Sequence, residues 1–279
     1  MLLKTDINIS IDNIKINFDT EALWILNIAL AVIMFGVALS IKLTDFKRLL
    51  QKPKLLLVGV FSQFFLLPAL TFVAILIIKP HPSFALGMMM IAACPGGNVS
   101  NFFSKMAKGN AALSVSLTAF ATVICLVMTP FNLQFYGGLY EPTNAILKTV
   151  ELNPFELFKL VLLILGIPII LGMALNHYYE KVAKKIEALL KPFSMIVFLA
   201  LISMAFYENI EIFLEHIHLV AALVIFHNIG AYIIGFYTAK GFGLDKRDQK
   251  TISMETGIQN GGLGLLLIFQ FFDGLGGMA

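Results

Sequence analysis

The hydrophobic positions of the chain form long continuous runs, separated by short stretches rich in charged and turn-forming residues. A helix that crosses a bilayer needs about 20 mostly apolar residues. The strands of a membrane barrel would be about ten residues long and would alternate in polarity. The pattern therefore predicts an all-α polytopic membrane protein. Its eight predicted transmembrane segments, named A to H, lie at about 21–42, 54–78, 83–107, 111–136, 155–177, 190–207, 217–238 and 250–273.

The composition favours the same class of protein. Of the 279 residues, 58% are hydrophobic and 13% are charged, which is about half the charged fraction of an average soluble domain. The formal net charge of +3 is too small to indicate a nucleic-acid surface. The two cysteines, Cys94 and Cys125, lie inside apolar runs and predict neither a disulfide framework nor a thiolate metal site. These features argue against a soluble enzyme and a nucleic-acid-binding protein.

The positions of the basic residues predict the orientation in the membrane. Fifteen of the 20 Lys and Arg residues lie in the A/B, C/D, E/F and G/H connections. Short cytoplasmic loops collect basic residues, so we expect these four connections in the cytoplasm. Residues 1–20 are then an extracytoplasmic arm, too polar for a signal peptide. The basic residues expected in the E/F loop are Lys181, Lys184, Lys185 and Lys191.

Two of the predicted segments are interrupted by glycine-rich polar stretches. Segment C contains Pro95-Gly96-Gly97 near its middle, and segment H contains Glu255 and Gly257 in its first half. Proline and glycine break the helical hydrogen-bond pattern, and the freed backbone groups must face protein or water because lipid cannot bond them. Polar residues follow both interruptions: Asn98, Ser100, Asn101, Gln259 and Asn260.

The similarity of the two interruptions indicates an inverted repeat. Segments C and H run in opposite directions by the charge argument, yet both are broken by glycines beside side-chain amides. Inverted repeats are typical of secondary transporters. Aligning segments F, G and H onto A, B and C leaves segment D without a counterpart. We therefore expect a ninth helix after residue 279 in the natural protein.

Glu255 is the acidic residue in a predicted segment that most needs a partner. An unpaired charge at the centre of a membrane helix costs roughly 2.5–3.5 kcal/mol, and Lys159 is expected near the opposite membrane face. This leaves a metal ion or a proton. The polar neighbours are hydroxyls, amides and free carbonyls, which are hard oxygen ligands. A single carboxylate favours a monovalent ion over Ca²⁺, so sodium is the first choice.

A combination of motifs resembles the bile acid:sodium symporter family. It consists of Cys94-Pro95-Gly96-Gly97 with Ser100-Asn101, the stretch 112–118 with Ser114 and Thr118, Glu255-Thr256-Gly257-Ile258-Gln259-Asn260, Met34-Phe35-Gly36, and Gln63 before Pro68. Each motif alone is weak, but the combination and its spacing are specific. The resemblance covers residues 21–273.

The resemblance implies a secondary transporter that moves an organic anion together with two sodium ions by alternating access. Residues 21–279 would form one transmembrane domain with an inverted repeat, in which two discontinuous helices cross. Segments A, E and F would form a panel domain, and segments B, C, D, G and H a core domain. Substrates in the resembling family include bile acids, steroid conjugates, pantoate and keto acids.

The resemblance also assigns site residues. One sodium ion would bind Ser100, Asn101, Ser114, Thr118 and Glu255. The other would bind Gln63, Glu255 and Gln259, with the backbone carbonyls of Thr256 and Ile258. The substrate cavity at the crossing would be lined by Asn98, Asn260 and Gly261.

The sequence departs from the family pattern in three places. Residues 1–20 are too polar to supply the first helix of ten-helix members, and the last core helix of the family is expected only after residue 279. Gly261-Gly262 stands where some members have serine. His227 and Asn228, in the middle of segment G, are interpreted as a helix-packing pair in preference to a proton relay.

The sequence also allows other functions. A proton-coupled organic anion carrier would require a titrating Glu255. An anion-binding membrane receptor would usually need an output domain, which the sequence does not suggest. An intramembrane enzyme would need a catalytic pair that Glu255 alone does not supply, so we predict that the protein is not an enzyme.

The expected partners are the organic anion and the lipid bilayer, with no nucleic acid. The sequence does not predict an oligomeric state. The short basic loops favour a bacterial inner membrane as the location.

Overall fold

The computed structural model describes residues 23–149, 159, 162–208 and 210–272, which are almost entirely helical. Within these ranges there is no β-strand. Three of the described helical stretches are long and apolar enough to cross a membrane, namely Pro53–Ile78, Ala111–Leu139 and Ala221–Gly241. The prediction of a helical membrane protein is thereby confirmed. The N-terminal arm, residues 21–22 of segment A, residues 155–158 and 160–161 of segment E, and residue 273 of segment H lie outside the described residues.

The helices are named in chain order. They are α1 (Leu23–Ala38), α2 (Leu43–Leu50), α3 (Pro53–Ile78, with a π-helical turn at Ser62–Leu66), α4 (Pro82–Ala93), α5 (Asn98–Met106), α6 (Ala111–Leu139), α7 (Glu141–Thr149), α8 (Ile167–Tyr178, after a π-helical turn at Leu162–Gly166), α9 (Glu180–Glu208), α10 (Ile210–Gly241), α11 (Lys246–Gly257) and α12 (Gly261–Phe272). Segment C corresponds to α4 and α5, and segment H corresponds to most of α11 together with α12.

Local sequence signals explain where several helices begin. Pro53 and Pro82 stand at the first positions of α3 and α4, where the missing N–H of proline has no cost. The Asn110 side chain caps α6 by accepting a hydrogen bond from the Leu113 amide at 3.1 Å. Asp245 caps α11 in the same way, accepting from two backbone amides of the first turn. These caps orient α6 and α11, which both carry residues of the candidate site.

The E/F connection is helical, so the prediction of a basic loop there was wrong. Helix α8 ends at Tyr178 and α9 already begins at Glu180. The residues of this stretch are mostly Glu, Ala, Lys and Leu, which are strong helix formers and extend the helix beyond its apolar part. The basic residues that the sequence placed in a loop therefore lie on the first turns of α9: Lys181, Lys184, Lys185 and Lys191.

Glu180, at the start of α9, forms two ion pairs. Its Oε1 lies 2.8 Å from Lys42 Nζ and 3.1 Å from Lys184 Nζ. The pKa of Glu180 is lowered to about 2. The largest cause is the hydrogen bond from Lys42, and the second is the hydrogen bond from Lys184. The pairs therefore stabilise the fold above the ordinary carboxyl pKa, and this contribution is lost as the pH falls towards 2. The side chains of Glu180 and Lys42 are about half exposed, so the contribution is small.

The two broken segments meet at their interruptions. Helices α4 and α5 are separated by Cys94–Gly97, and α11 and α12 by 258–260. The Gly97 amide donates to the Ile258 carbonyl at 3.1 Å, and the Asn260 amide donates to the Pro95 carbonyl at 2.8 Å. Gly96 and Gln259 thus form an antiparallel bridge. Backbone groups that the breaks release are therefore bonded across the two segments.

A π-helical turn in α3 contains Gln63 and is fixed by α6. The Asn132 side chain donates through Nδ2 to the Phe64 carbonyl at 2.9 Å, and Asn132 is only 2% exposed. Two residues earlier, α6 contains Pro130, which has no N–H for the helix. The irregular parts of α3 and α6 thus face each other, and Asn132 supplies a bond between them.

Apolar packing surrounds the crossing. One cluster joins α4, α6 and α12 and includes Met88, Met89, Met90, Cys125, Leu133, Leu263 and Phe269. Helix α10 packs along α11 so closely that a Cβ at Gly235 would lie 2.7 Å from the Ile252 carbonyl. Helix α1 approaches α8 in the same way, because a Cβ at Gly172 would lie 2.7 Å from the Ala38 Cβ. The broken segments are therefore enclosed by closely packed helices.

We predict that Asn132→Leu destabilises the protein, because it leaves the buried Phe64 carbonyl without its bond. The expected loss is about 1–3 kcal/mol of unfolding free energy. Gln134→Met is the matched control on the same helix, because Gln134 Nε2 is buried without a partner and its removal leaves no new unpaired group. Unfolding in detergent measures both variants. Equal stabilities would contradict a structural role for the Asn132 bond.

Candidate functional site

Glu255 lies in the last turn of α11 and is fully buried. Its carboxylate accepts hydrogen bonds from hydroxyls on two other helices. Ser100 Oγ of α5 lies 2.6 Å from Oε1, and Thr118 Oγ1 of α6 lies 2.9 Å from Oε2. Ser114 Oγ of α6 also donates to Oε1. No described Lys, Arg or His forms an ion pair with Glu255, so its charge has only neutral partners in this part of the chain.

Acceptor oxygens outnumber the hydroxyl protons around Glu255. Ser100 Oγ lies 2.6 Å from the Gly97 carbonyl as well as from Glu255. Thr118 Oγ1 lies 3.3 Å from Asn101 Oδ1 as well as from Glu255. A hydroxyl has one proton, so it can donate to only one of these acceptors at a time. The oxygens left without a proton are the ligands that a hard cation requires.

A second group of polar atoms lies near the carboxylate, around Gly96. A Cβ built at Gly96 would lie 2.8 Å from the Glu255 carbonyl oxygen, 2.9 Å from Glu255 Oε2 and 3.3 Å from Gln63 Nε2. The π-helical turn therefore brings Gln63 towards Glu255. Gln63 is only 1% exposed, and its Nε2 has no hydrogen-bond partner. Because side-chain amide N and O atoms are assigned from their bonds, a rotated Gln63 amide would direct Oε1 there.

Gln259 contributes a second orphaned atom at the break in segment H. Its Nε2 donates to the Thr256 carbonyl at 2.8 Å, whereas its Oε1 is buried without a partner. The Ile258 carbonyl accepts from Gly97, as described above, and the Thr256 hydroxyl lies 2.9 Å from Ser62 Oγ. Each carbonyl oxygen has two lone pairs, so those of Thr256 and Ile258 keep one for another ligand.

The residues expected to contact the substrate surround the same crossing. Asn98 is the first residue of α5, directly after Gly97. The Asn260 side chain caps α12 by accepting from the Leu263 amide at 3.1 Å. Gly261 begins α12 and borders a cavity of about 300 Å³. The amino-terminal ends of α5 and α12 therefore both start at the crossing.

The cavity also brings in residues that the sequence analysis did not assign to the site. Its lining includes His227, Asn228 and Tyr232 of α10, together with Phe103 and Gly257. His227 Nε2 lies 2.8 Å from Thr71 Oγ1 of α3, and Asn228 Nδ2 lies 3.4 Å from the Gly257 carbonyl. Both side chains thus contact neighbouring helices, as the packing interpretation expected. The signal in the sequence was two polar residues in the middle of an apolar segment.

The described residues contain no group of three or more His, Cys, Asp or Glu side chains that could bind a metal ion together. The polar atoms around Glu255 are hydroxyl, amide and carbonyl oxygens. This donor set suits an alkali cation better than a transition metal.

Comparison with known proteins agrees with the resemblance found in the sequence. A family profile described as Sodium Bile acid symporter family matches residues 27–216. The chain is 34% identical over 263 residues to the "Uncharacterized sodium-dependent transporter YocS" of Bacillus subtilis, which covers 93% of this chain and 79% of that protein.

More distant relatives occur in plants and animals. Identity to the "Probable sodium/metabolite cotransporter BASS1, chloroplastic" of Arabidopsis thaliana is 29%, over 88% of this chain and 59% of that protein. Identity to the human "Ileal sodium/bile acid cotransporter" is 27%, over 85% of this chain and 66% of that protein. The chain therefore spans less than two thirds of the length of these two relatives. It belongs to the Sodium Bile acid symporter family, whose members are membrane transporters and not enzymes.

Proposed function

We propose that the protein is a sodium-coupled symporter of an organic anion that works by alternating access. The observation that carries this proposal is the fully buried Glu255 carboxylate, whose partners in the described structure are neutral hydroxyls. A buried charge needs compensation, and the excess of acceptor oxygens around it suits Na⁺. The names of the relatives, which include sodium-dependent transporters and cotransporters, support the same ion.

The first proposed sodium position lies between α5, α6 and α11. Hydrogen bonds connect Ser100, Ser114 and Thr118 to Glu255, and Thr118 to Asn101. When Na⁺ binds, the hydroxyls would rotate so that their oxygens face the ion. Binding would thereby neutralise the carboxylate and hold the three helices together.

The second proposed position lies beside Gly96, between α3 and the break in segment H. Gln63 and Gln259 each have a buried amide atom without a partner, and Glu255 Oε2 lies near Gly96 as well. The carbonyls of Thr256 and Ile258 would complete the ligand set. Because Glu255 contributes to both positions, two bound sodium ions would share its charge.

The anion is proposed to bind where the amino-terminal ends of α5 and α12 meet. Free backbone amides and the helix dipole make such ends attractive to negative charge. Asn98, Asn260 and Gly261 lie at these ends. Two of the relatives are named as cotransporters of a metabolite or of bile acid, and the proposed substrate classes are bile acids, steroid conjugates, pantoate and keto acids.

An inverted repeat with panel and core domains is proposed for the architecture. The reciprocal bonds between Gly97 and Ile258 and between Asn260 and Pro95 support it, because a pseudo-two-fold axis would relate two such breaks. In this arrangement, core helices α3 to α6 and α10 to α12 would move against panel helices α1, α8 and α9. The amino terminus would be extracytoplasmic and the basic connections cytoplasmic, in a bacterial inner membrane.

We predict that NaCl raises the thermal stability of the full-length protein above that in KCl at equal ionic strength. A ligand that binds only the folded state adds about 2.7 kcal/mol at a hundred times its dissociation constant. Glu255→Gln should lose the difference between the salts. Thr143→Val is the control, because it removes another buried hydroxyl, 2.9 Å from the Tyr140 carbonyl, away from Glu255. Equal effects of sodium and potassium, with a pH response that depends on Glu255, would indicate the proton-coupled carrier instead.

We predict that Gly96→Ala also abolishes the sodium effect. The new Cβ would lie within 3 Å of both the carbonyl and the carboxylate of Glu255, and overpacking of this kind costs about 1–3 kcal/mol. Gly264→Ala is the matched control near the other break, because its Cβ would make an ordinary 3.5 Å contact with Cys94 Sγ. The same stability comparison measures both variants. A wild-type sodium response in Gly96→Ala would argue against the second ion position.

We predict that organic anion uptake into proteoliposomes requires sodium. If both ligands stabilise the same conformation, each raises the affinity of the other by the same factor. Uptake should therefore be much faster from NaCl than from choline chloride, and sodium affinity should increase when the transported anion is present. Equal uptake in the two media would refute sodium coupling.

A further inference from the structure

A second layer of polar side chains lies between Glu255 and the basic C/D and G/H connections. It consists of Ser104 on α5, Asn110 at the start of α6, and Asp248 and Thr251 on α11, and we name it the loop-side layer. Apart from Asn110, these side chains are almost completely buried. Ser104 and Thr251 are 0% exposed, and Asp248 is 7% exposed.

On each of the three helices, a residue of the loop-side layer lies four positions from a residue of the Glu255 site. Ser104 follows Ser100 by four residues, Asn110 precedes Ser114 by four, and Thr251 precedes Glu255 by four. Residues four apart lie on the same face of a helix, about 6 Å apart along its axis. The three helices that surround Glu255 therefore present a second set of polar groups one turn closer to the basic connections.

Hydrogen bonds connect the three helices within the layer. Ser104 Oγ lies 3.0 Å from Thr251 Oγ1, and the backbone amide of Asn110 donates to Thr251 Oγ1 at 2.7 Å. Asn110 Nδ2 donates to Asp248 Oδ1 at 2.8 Å. Thr251 Oγ1 also lies 3.3 Å from the Asn110 carbonyl. Hydroxyl, carbonyl and carboxylate oxygens are thus grouped between α5, α6 and α11.

Asp248 has no ion-pair partner among the described residues, although basic residues flank it in sequence. Lys250, two positions later, donates through Nζ to the Ala107 carbonyl at 2.9 Å. A nearly buried carboxylate without a counter-charge is costly. A cation that visits the layer would compensate it.

Gly109, in the C/D connection, covers the end of the loop-side layer that faces this connection. Lys108 has a positive φ of 57°, which turns the chain so that Gly109 lies against the layer. A Cβ at Gly109 would lie 2.7 Å from Thr251 Oγ1 and 2.9 Å from Ser104 Oγ. The connection therefore packs directly on these hydroxyls, and their bonds must open before an ion can pass.

We propose that the loop-side layer is a transient sodium position on the route between the Glu255 site and the cytoplasm. The proposal rests on the proposed function, in which sodium binds at Glu255. An ion leaving Glu255 moves about one helical turn, roughly 6 Å, to the oxygens of Ser104 and Thr251, and then passes Asp248 into solution. Rapid passage requires successive positions that bind the ion without holding it.

The test separates the rate of sodium exchange from sodium affinity. Equilibrium binding of ²²Na⁺ is measured on the full-length protein, and exchange of ²²Na⁺ is measured in inverted membrane vesicles, whose outer face is cytoplasmic. Thr251→Val removes the hydroxyl at nearly constant shape, and Asp248→Asn removes the charge. Each variant is expected to exchange sodium roughly tenfold more slowly, which corresponds to about 1.4 kcal/mol of barrier, with sodium affinity unchanged within about twofold. Thr143→Val is expected to behave like the wild type.

Each contrary result has a distinct meaning. A wild type that binds no ²²Na⁺ would overturn the proposed function and the route with it. Sodium binding with wild-type exchange rates in both variants would overturn the route alone. A parallel loss of affinity and rate would also overturn it, because these residues would then act on the Glu255 site or on folding.

Discussion

The burial of the Glu255 carboxylate is the constraint on which the rest of the site depends. Within the described structure, its bonds come from neutral hydroxyls of α5 and α6. A charge in such surroundings costs several kcal/mol unless a cation or a proton compensates it. The same hydroxyls also hold α5, α6 and α11 together. Occupation of the site therefore directly affects the packing of these three helices.

The crossing of the broken helices solves a second problem, that of unpaired backbone groups in an apolar environment. Two amides, those of Gly97 and Asn260, find carbonyls on the opposite segment. Gly96 lets the Glu255 backbone come so close that a Cβ would not fit. Because these bonds join segment C to segment H, a movement of one segment would displace the other. The ion site and the helix ends at the crossing would then move as a unit.

This arrangement gives the proposed sodium coupling a physical basis. The proposed ion positions and the proposed anion position share the segment between Glu255 and Gly261. A ligand shifts a conformational equilibrium only by its difference in affinity for the two states. An ion that orders this short segment would also order the amino-terminal end of α12. The loop-side layer extends the same three-helix contact towards the basic connections, so ion release and opening of that contact would be linked.

The sequence alone determined the membrane class, the two broken segments and the identity of the family, because long apolar runs and glycine-rich polar motifs are local properties of the chain. It also identified Glu255 as a buried charge that needs a partner. It placed four lysines of α9 in a loop, because charge marks a membrane boundary but does not end a helix. Only the tertiary structure placed Gln63 beside Gly96, through a π-helical turn bonded to Asn132, and aligned Ser104 and Asn110 with Thr251. These contacts join residues 33 to 147 positions apart, and helical periodicity specifies a face of each helix but not the neighbour that the face meets.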